Sequence, residues 1–421
     1  MLNDVSSEVT IRTLPLFLAN VLGVRTATIG MIEGIGESVS TLLKTASGNL
    51  ADRLGRKKPL ALAGYALSGF SKPLLYFATG WGWVLVVRVL DRIGKGVRTP
   101  PRDALIADLT PAGQRGQAFG FNKAMDKAGS VAGLLAAAGT LYAVQHGAAR
   151  LTRTGFQSLV LLAVLPGIAS VLVLARWVKE PAARRGPGAE QAGGMEGEPG
   201  RAGATGAAGA PLASPGAAGT PLAAPGILHA RFWLYLAILV LFSLGNSSDA
   251  FLMLRAQTLG ISTFALFLIT AGFSAVIALS STPGGALSDV LGRKRMIVAG
   301  WLIYAAIYIG FAFASRAWHV AVLYAGYGLY YGAFQGASTA LVADIVPLER
   351  RGTAFGLFNA ALGIAALPAS AVAGWMWQRY GAPAPFLLGG ALALVASLAL
   401  AALPLPEAAG ADEEAFARRG R

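Results

Sequence analysis

The sequence predicts an all-α membrane protein with about twelve transmembrane helices arranged as two six-helix halves. Three observations predict it. The 421 residues are 55% hydrophobic and only 13% charged, which is about half the charge of an ordinary soluble domain. The apolar residues fall in stretches of about 20, the length that crosses a bilayer as a helix. The second half of the chain repeats the first. The same composition excludes a disordered chain, which cannot be so apolar, and a fibrous one, because the 54 glycines are not periodic.

Taken in order, the apolar stretches cover residues 5–24, 29–50, 59–78, 84–106, 119–143 and 156–178, then 232–254, 264–287, 296–314, 320–342, 354–377 and 385–403. They divide the chain into an N-terminal half (1–180), a linker (181–226), a C-terminal half (227–405) and a tail (406–421). Of the 46 linker residues, 14 are Ala, 12 Gly and 7 Pro, a composition that makes a flexible, solvated tether. The basic residues cluster in the linker (Arg184, Arg185, Arg201), at 53–58, at 293–295, at 350–351 and in the tail. Each cluster follows an even-numbered stretch, so the positive-inside rule places the linker, the tail and both termini in the cytoplasm. The opening residues are polar and include Asp4 and Glu8, unlike a cleavable signal peptide.

The net charge of +14 would suggest nucleic acid in a soluble protein. Here the basic residues sit in short runs between apolar stretches, as expected of loops facing anionic lipid, and no nucleic-acid partner is expected. There is no cysteine, and the three histidines, His146, His229 and His319, are far apart, so neither a metal site nor a cofactor is expected. The run Gly94-Lys95-Gly96 lacks the upstream glycine of a phosphate-binding loop, which argues against an ATP-driven pump.

The repeat is explicit. Gly48-Asn49-Leu50-Ala51-Asp52-Arg53-Leu54-Gly55-Arg56-Lys57-Lys58 is matched 237 positions later by Gly285-Ala286-Leu287-Ser288-Asp289-Val290-Leu291-Gly292-Arg293-Lys294-Arg295. Ala104–Asp108 is matched by Ala340–Asp344, and Ser6-Ser7-Glu8 by Ser247-Ser248-Asp249. Two halves related by duplication are a common transporter architecture. Only five residues precede Ser6, against the mostly apolar 231–246 before Ser247. The first helix therefore looks truncated. Either the native start lies upstream of Met1, or the first helix is short and the bilayer or its neighbours adjust to it.

These residues resemble the major facilitator superfamily (MFS). The doubled Gly-x-Leu-x-Asp-x-x-Gly-Arg-Lys/Arg motif carries the likeness, which covers all but the linker and tail, and Arg88 falls where that family has a fourth-helix arginine. A closer likeness is to a bacterial subgroup with Asp-Arg-x-Gly-Lys-Gly-x-Arg and Pro-Arg-Asp-Ala-Leu, here 91–98 and 101–105. The resemblance implies a twelve-helix secondary transporter and assigns no substrate. The antiporter signature of the fifth helix is not intact, because Leu134 rather than proline follows Gly133, which leaves the direction of transport open.

Three sets of residues carry the candidate chemistry. The first is a gating latch made of Gly48, Asp52, Gly55 and Arg56, with Gly285, Asp289, Gly292 and Arg293 as its second copy. The carboxylate would ion-pair across a helix end in one state and release in the other; the alternative is an ordinary capped basic loop that sets topology. The second set is a charged stripe on the fourth stretch: Arg88, Asp91, Arg92, Lys95, Arg98, Arg102 and Asp103 fall in a sector of roughly 140° at about 100° per residue. Charges are costly in hydrocarbon, so the stripe faces the interior. Glu33, Glu37 and Lys44 share a face of the second stretch, and Lys123, Asp126 and Lys127 cluster on the fifth. These three stretches hold eight cations against five carboxylates. The surplus reads either as an anion site or as part of a buried ion-pair network. The third set lies in the second half, where Asp249 and Arg255 are the exceptional charges and the tenth stretch is neutral and rich in Tyr324, Tyr327, Tyr330 and Tyr331. Those rings either line a pocket or pack a core.

The expected function is alternating-access transport of a small-molecule substrate by a monomer in the bacterial inner membrane, surrounded by lipid. The expected coupling ion is H+, with Glu33, Glu37, Asp126, Asp249 and Glu8 as carboxylates for it. Export of an organic anion or amphiphile is the leading form, and uptake of an anionic metabolite the alternative. A non-transporting sensor on the same fold is the competing class. No enzyme is expected, since no nucleophile elbow, zinc triad or nucleotide loop is present.

Overall fold

The computed structural model describes residues 1–54, 57–110, 115–145, 149–178, 230–334, 337–338, 341–342, 345–346 and 351–404. The linker and the tail expected at 181–226 and 406–421 lie outside the described residues. Among the described residues the secondary structure is entirely helical.

The first half comprises α1 (Leu2–Asn20), α2 (Thr26–Leu54), α3 (Lys57–Ser71), α4 (Trp81–Leu109), α5 (Arg115–Gln145) and α6 (Arg153–Trp177). The second comprises α7, in two pieces (Ala230–Gly245 and Ala250–Thr258), α8 (Thr263–Leu291), α9 (Arg293–Phe313), α10 (Ala317–Leu329), α11 (Arg351–Tyr380) and α12 (Ala384–Ala402). This is the predicted twelve-span, two-half architecture. Seven helices, α5–α9, α11 and α12, are long and apolar enough to cross a membrane. α1, α2 and α4 have the length but carry more charges, among them the buried Glu33, Arg88 and Arg92.

Three spans depart from a plain helix for identifiable reasons. α3 tightens into a 3-10 turn at Lys72–Phe77, where Pro73 lacks a backbone donor. α10 ends in a π-helical turn, Tyr330–Phe334. α7, expected to be continuous over 232–254, is broken at Asn246–Asp249. Asn, Ser and Asp side chains compete for backbone hydrogen bonds, and Ser248 Oγ accepts from the Ala250 amide at 3.3 Å. The freed Gly245 carbonyl lies 3.3 Å from the Tyr304 hydroxyl, which also reaches Asn246 Oδ1 at 3.2 Å.

Close approach between helices rests on small residues, as is usual in membranes. The Gly34 Cα faces the Leu367 backbone of α11, where an added Cβ would sit 2.9 Å from the Leu367 Cα. In each half a lysine from the basic run caps the last helix. Lys58 Nζ donates to the Ala175 carbonyl at 2.9 Å, and Lys294 Nζ donates to Ala401 and Leu403 at 2.9 and 2.7 Å. A cation is favoured at a helix C-terminus, where carbonyls lack partners.

A candidate solute cavity between the two halves

A cavity of about 550 Å³ lies between the halves, lined by α1, α2 and α4 on one side and by the α7 break, Tyr331 and α11 on the other. Its lining holds five cations (Arg12, Lys44, Arg88, Arg92, Lys95) and four carboxylates (Glu8, Glu33, Glu37, Asp249). Uncharged polar groups, Thr41, Ser243, Asn246, Ser247, Ser248, Asn359 and Ser370, complete it.

The charges are arranged in pairs. Arg88 donates to Glu33 at 2.5 Å with both side chains buried, and Arg92 NH1 lies 3.3 Å from Glu37, which is 47% exposed. Arg12 donates to Glu8 at 3.2 Å and to Asp249 at 3.1 Å, the second contact reaching across the halves. Tyr327 donates to the other Asp249 oxygen at 3.0 Å. Glu8 and Asp249 occupy equivalent places in the internal repeat, so one arginine holds a carboxylate from each half. Lys44 and Lys95 carry no ion pair within 4 Å among the described residues. Glu33 Oε1, Arg88 Nε and Arg92 Nε are buried without a hydrogen-bond partner among the described residues.

The two halves are bonded together towards one face. Asn20 donates to Gln257 at 3.1 Å, Thr26 to Gly374 at 3.3 Å and the Thr263 amide to Ala149 at 3.0 Å. Deeper in the bundle, Ser38 donates to Gly363 at 2.5 Å. Among the described residues, the hydrogen bonds between the halves lie at that face or at mid-depth. α2 begins at this face, so Glu33 lies nearer to it than Lys44 by about 16 Å at 1.5 Å per residue.

Of the residues singled out from sequence, Glu33, Glu37, Arg88, Arg92, Lys95 and Asp249 meet at this cavity. Others of that set do not line it. Asp91 is buried on the α3 side of α4, accepting from Ser68 at 2.5 Å. Arg98 is buried with its guanidinium 4.9 Å from the Tyr65 ring centre. Asp126 faces Arg102 NH1 at 3.6 Å. Arg255 donates to the Phe311, Ala312 and Ala314 carbonyls, tying the end of α9. The side chains of Lys123, Asp52 and Asp289, and the residues Gly55 and Arg56, lie outside what is described, as does the surround of Gly285. Gly48 packs on Pro100 of α4, and Gly292 turns between α8 and α9 at φ +85°, a backbone that L side chains rarely adopt. Arg293 opens α9.

The tenth-span tyrosines separate into two roles. Tyr324, Tyr327 and Tyr330 are buried in a ring cluster with Tyr304, Tyr308 and Phe273, and only Tyr331 of the four lines the cavity. Sequence reasoning passed over Arg12, whose bridge depends on the α7 break. It also passed over Lys72, which is buried and donates to Ser6 and Ser7 at 3.1 and 2.9 Å. The placement of both ammonium and guanidinium inside an apolar span was the available signal.

The chain matches the Major Facilitator Superfamily model over residues 1–269 and 250–420. It is 29% identical over 408 residues to an uncharacterized MFS-type transporter of Methanocaldococcus jannaschii, covering 95% of this chain and 91% of that one. Its fold is similar to that of the nucleoside transporter NupG (TM-score 0.73, 12% identity, 96% of this chain and 97% of the other). It is also similar to that of a D-xylose-proton symporter (TM-score 0.69, 17% identity, 96% and 95%).

Proposed function

The chain belongs to the major facilitator superfamily, and from that premise we propose that it is a proton-coupled secondary transporter exporting an organic anion or amphiphile across the bacterial inner membrane. Both termini and the linker lie in the cytoplasm in this reading, and the protein works as a monomer. One observation carries it: a polar cavity between two repeated halves, charged on both sides and bonded shut towards one face. The basic runs sit at the opposite ends of α2 and α8, which supports a cytoplasm-facing cavity. Rocking of the halves about such a site is how this architecture moves solute. The resident carboxylates Glu33, Glu37, Glu8 and Asp249 are the coupling candidates, since each is poised on an arginine that a proton would release.

Reconstituted protein in liposomes with an imposed pH gradient tests this. Addition of aromatic mono- and dicarboxylates should produce solute-dependent proton flux, and flux indifferent to every added solute would refute it. Uptake of an anionic metabolite is the second reading, favoured by Leu134 in place of the antiporter proline. The sign of the proton flux separates the two. In the latch reading, Asp52→Asn slows turnover more than it weakens ligand binding; an equal loss of both would remove it.

A further inference from the structure

We propose that Lys44 and Lys95 form an anion subsite in the half of the cavity away from the bonded face, built for a ligand whose acidic end carries two negative charges, as in a phosphate monoester or a 1,2-dicarboxylate. The inference rests on reading this cavity as the solute site. Charge balance within the lining leads to it. Nearer the bonded face, Arg88 is matched by Glu33 and Arg92 by Glu37. Arg12 is more than matched, by Glu8 and Asp249. Among the described residues the two lysines are left over, and the one charge that the C-terminal half adds to the lining, Asp249, is held by Arg12.

A helix crossing brings the two lysines to one region of the cavity wall. Gly96 packs its Cα against Ser40 and Leu43 of α2, and Ser47 Oγ donates to the Val97 carbonyl at 2.6 Å. Lys44 and Lys95 flank that crossing on the cavity side. A side chain in place of Gly96 would force the helices apart. Two like charges held together at a crossing repel unless an anion sits between them. Glu37 lies within their field, and Arg92 already engages it. A single carboxylate on the ligand would leave one lysine unmatched, and two negative charges match both.

The test is a charge ladder on one ring. The purified full chain in uncharged detergent is titrated with phenyl phosphate, phthalate, benzoate and benzamide, following thermal unfolding through its eight tryptophans. The titration is run at about pH 7, where a phosphate monoester already carries about 1.5 to 2 negative charges. Phenyl phosphate and phthalate should bind at least about tenfold tighter than benzoate, with benzamide weakest. Lys44→Gln and Lys95→Gln should each remove about tenfold of that preference, and Lys44→Arg and Lys95→Arg, which keep the charge, should retain it. Benzoate binding as well as phthalate, no binding by any acid, or a double glutamine variant with the wild-type preference would each overturn the subsite. If a variant does not fold, the wild-type ladder still decides. A wild-type preference for dianions together with absent proton flux in liposomes would refute the transport reading and leave the subsite standing.

Discussion

Asp249→Asn should loosen the bonded face without unfolding the protein. Asp249 Oδ2 receives Arg12 from the other half at 3.1 Å, and its side chain is 30% exposed. A hydrogen bond to a charged group contributes about 1.5–3 kcal/mol, and partial exposure reduces this to about 1–2 kcal/mol. The asparagine keeps the volume, its single amide oxygen still accepts from Arg12 and its NH2 can donate to the Tyr327 hydroxyl, and Arg12 keeps Glu8, so no buried charge is orphaned. The loss therefore falls on the equilibrium between halves closed and halves apart at this face. It should shift by about 5- to 30-fold, at tenfold per 1.4 kcal/mol. The chain has no cysteine, so spin labels can be placed on Arg25→Cys and Gln378→Cys, both exposed at that face. Wild type should give one short distance, and the variant a second, longer population. An unchanged distance distribution, with or without a lower melting temperature, would refute the claim that this bridge holds the halves together.

Arg98→Ala should lower stability by about 1–2 kcal/mol through the lost stack on Tyr65 while leaving benzoate and phthalate affinities unchanged, because Arg98 does not line the cavity; thermal unfolding with and without ligand reads both. Arg255→Ala removes three carbonyl partners at the end of α9 and should cost about 2–4 kcal/mol, seen as a lower melting temperature with ligand preference intact. Gly34→Val should drive α2 off the Leu367 backbone, costing about 1–3 kcal/mol and lengthening the Arg25–Gln378 label distance; a wild-type distance would show that the helices tolerate the bulk.

The fold was legible because its signals are local and repeated. Apolar stretches of spanning length count helices, and the matched segments around Asp52 and Asp289 count halves. The inward face of α4 was legible in the same way, since charges in a span have nowhere else to point. Which of those charges line the cavity was not legible. Arg88 and Arg98 lie on the same charged sector, yet one lines the cavity and the other stacks on Tyr65. Helical periodicity fixes an angle about one axis, and the crossing of α3 over α4 decides what lies at that angle and depth. The same holds for the aromatic span, where Tyr331 meets the cavity and Tyr327 is buried four residues earlier.

The sequence by itself determined a twelve-helix, duplicated membrane protein, its basic loops and the polar faces of α2 and α4, because hydropathy and period-3.6 placement are properties of contiguous residues. Only the tertiary structure decided that α7 breaks at Asn246–Asp249, that Arg12 joins Glu8 to Asp249, and that among the described residues Lys44 and Lys95 line the cavity outside any ion pair. Each of those depends on which helix lies opposite which. That choice is set by close packing at Gly34 and Gly96 against residues distant in the chain, and a pairing energy between two charges exists only once the backbone has placed them within a few ångströms.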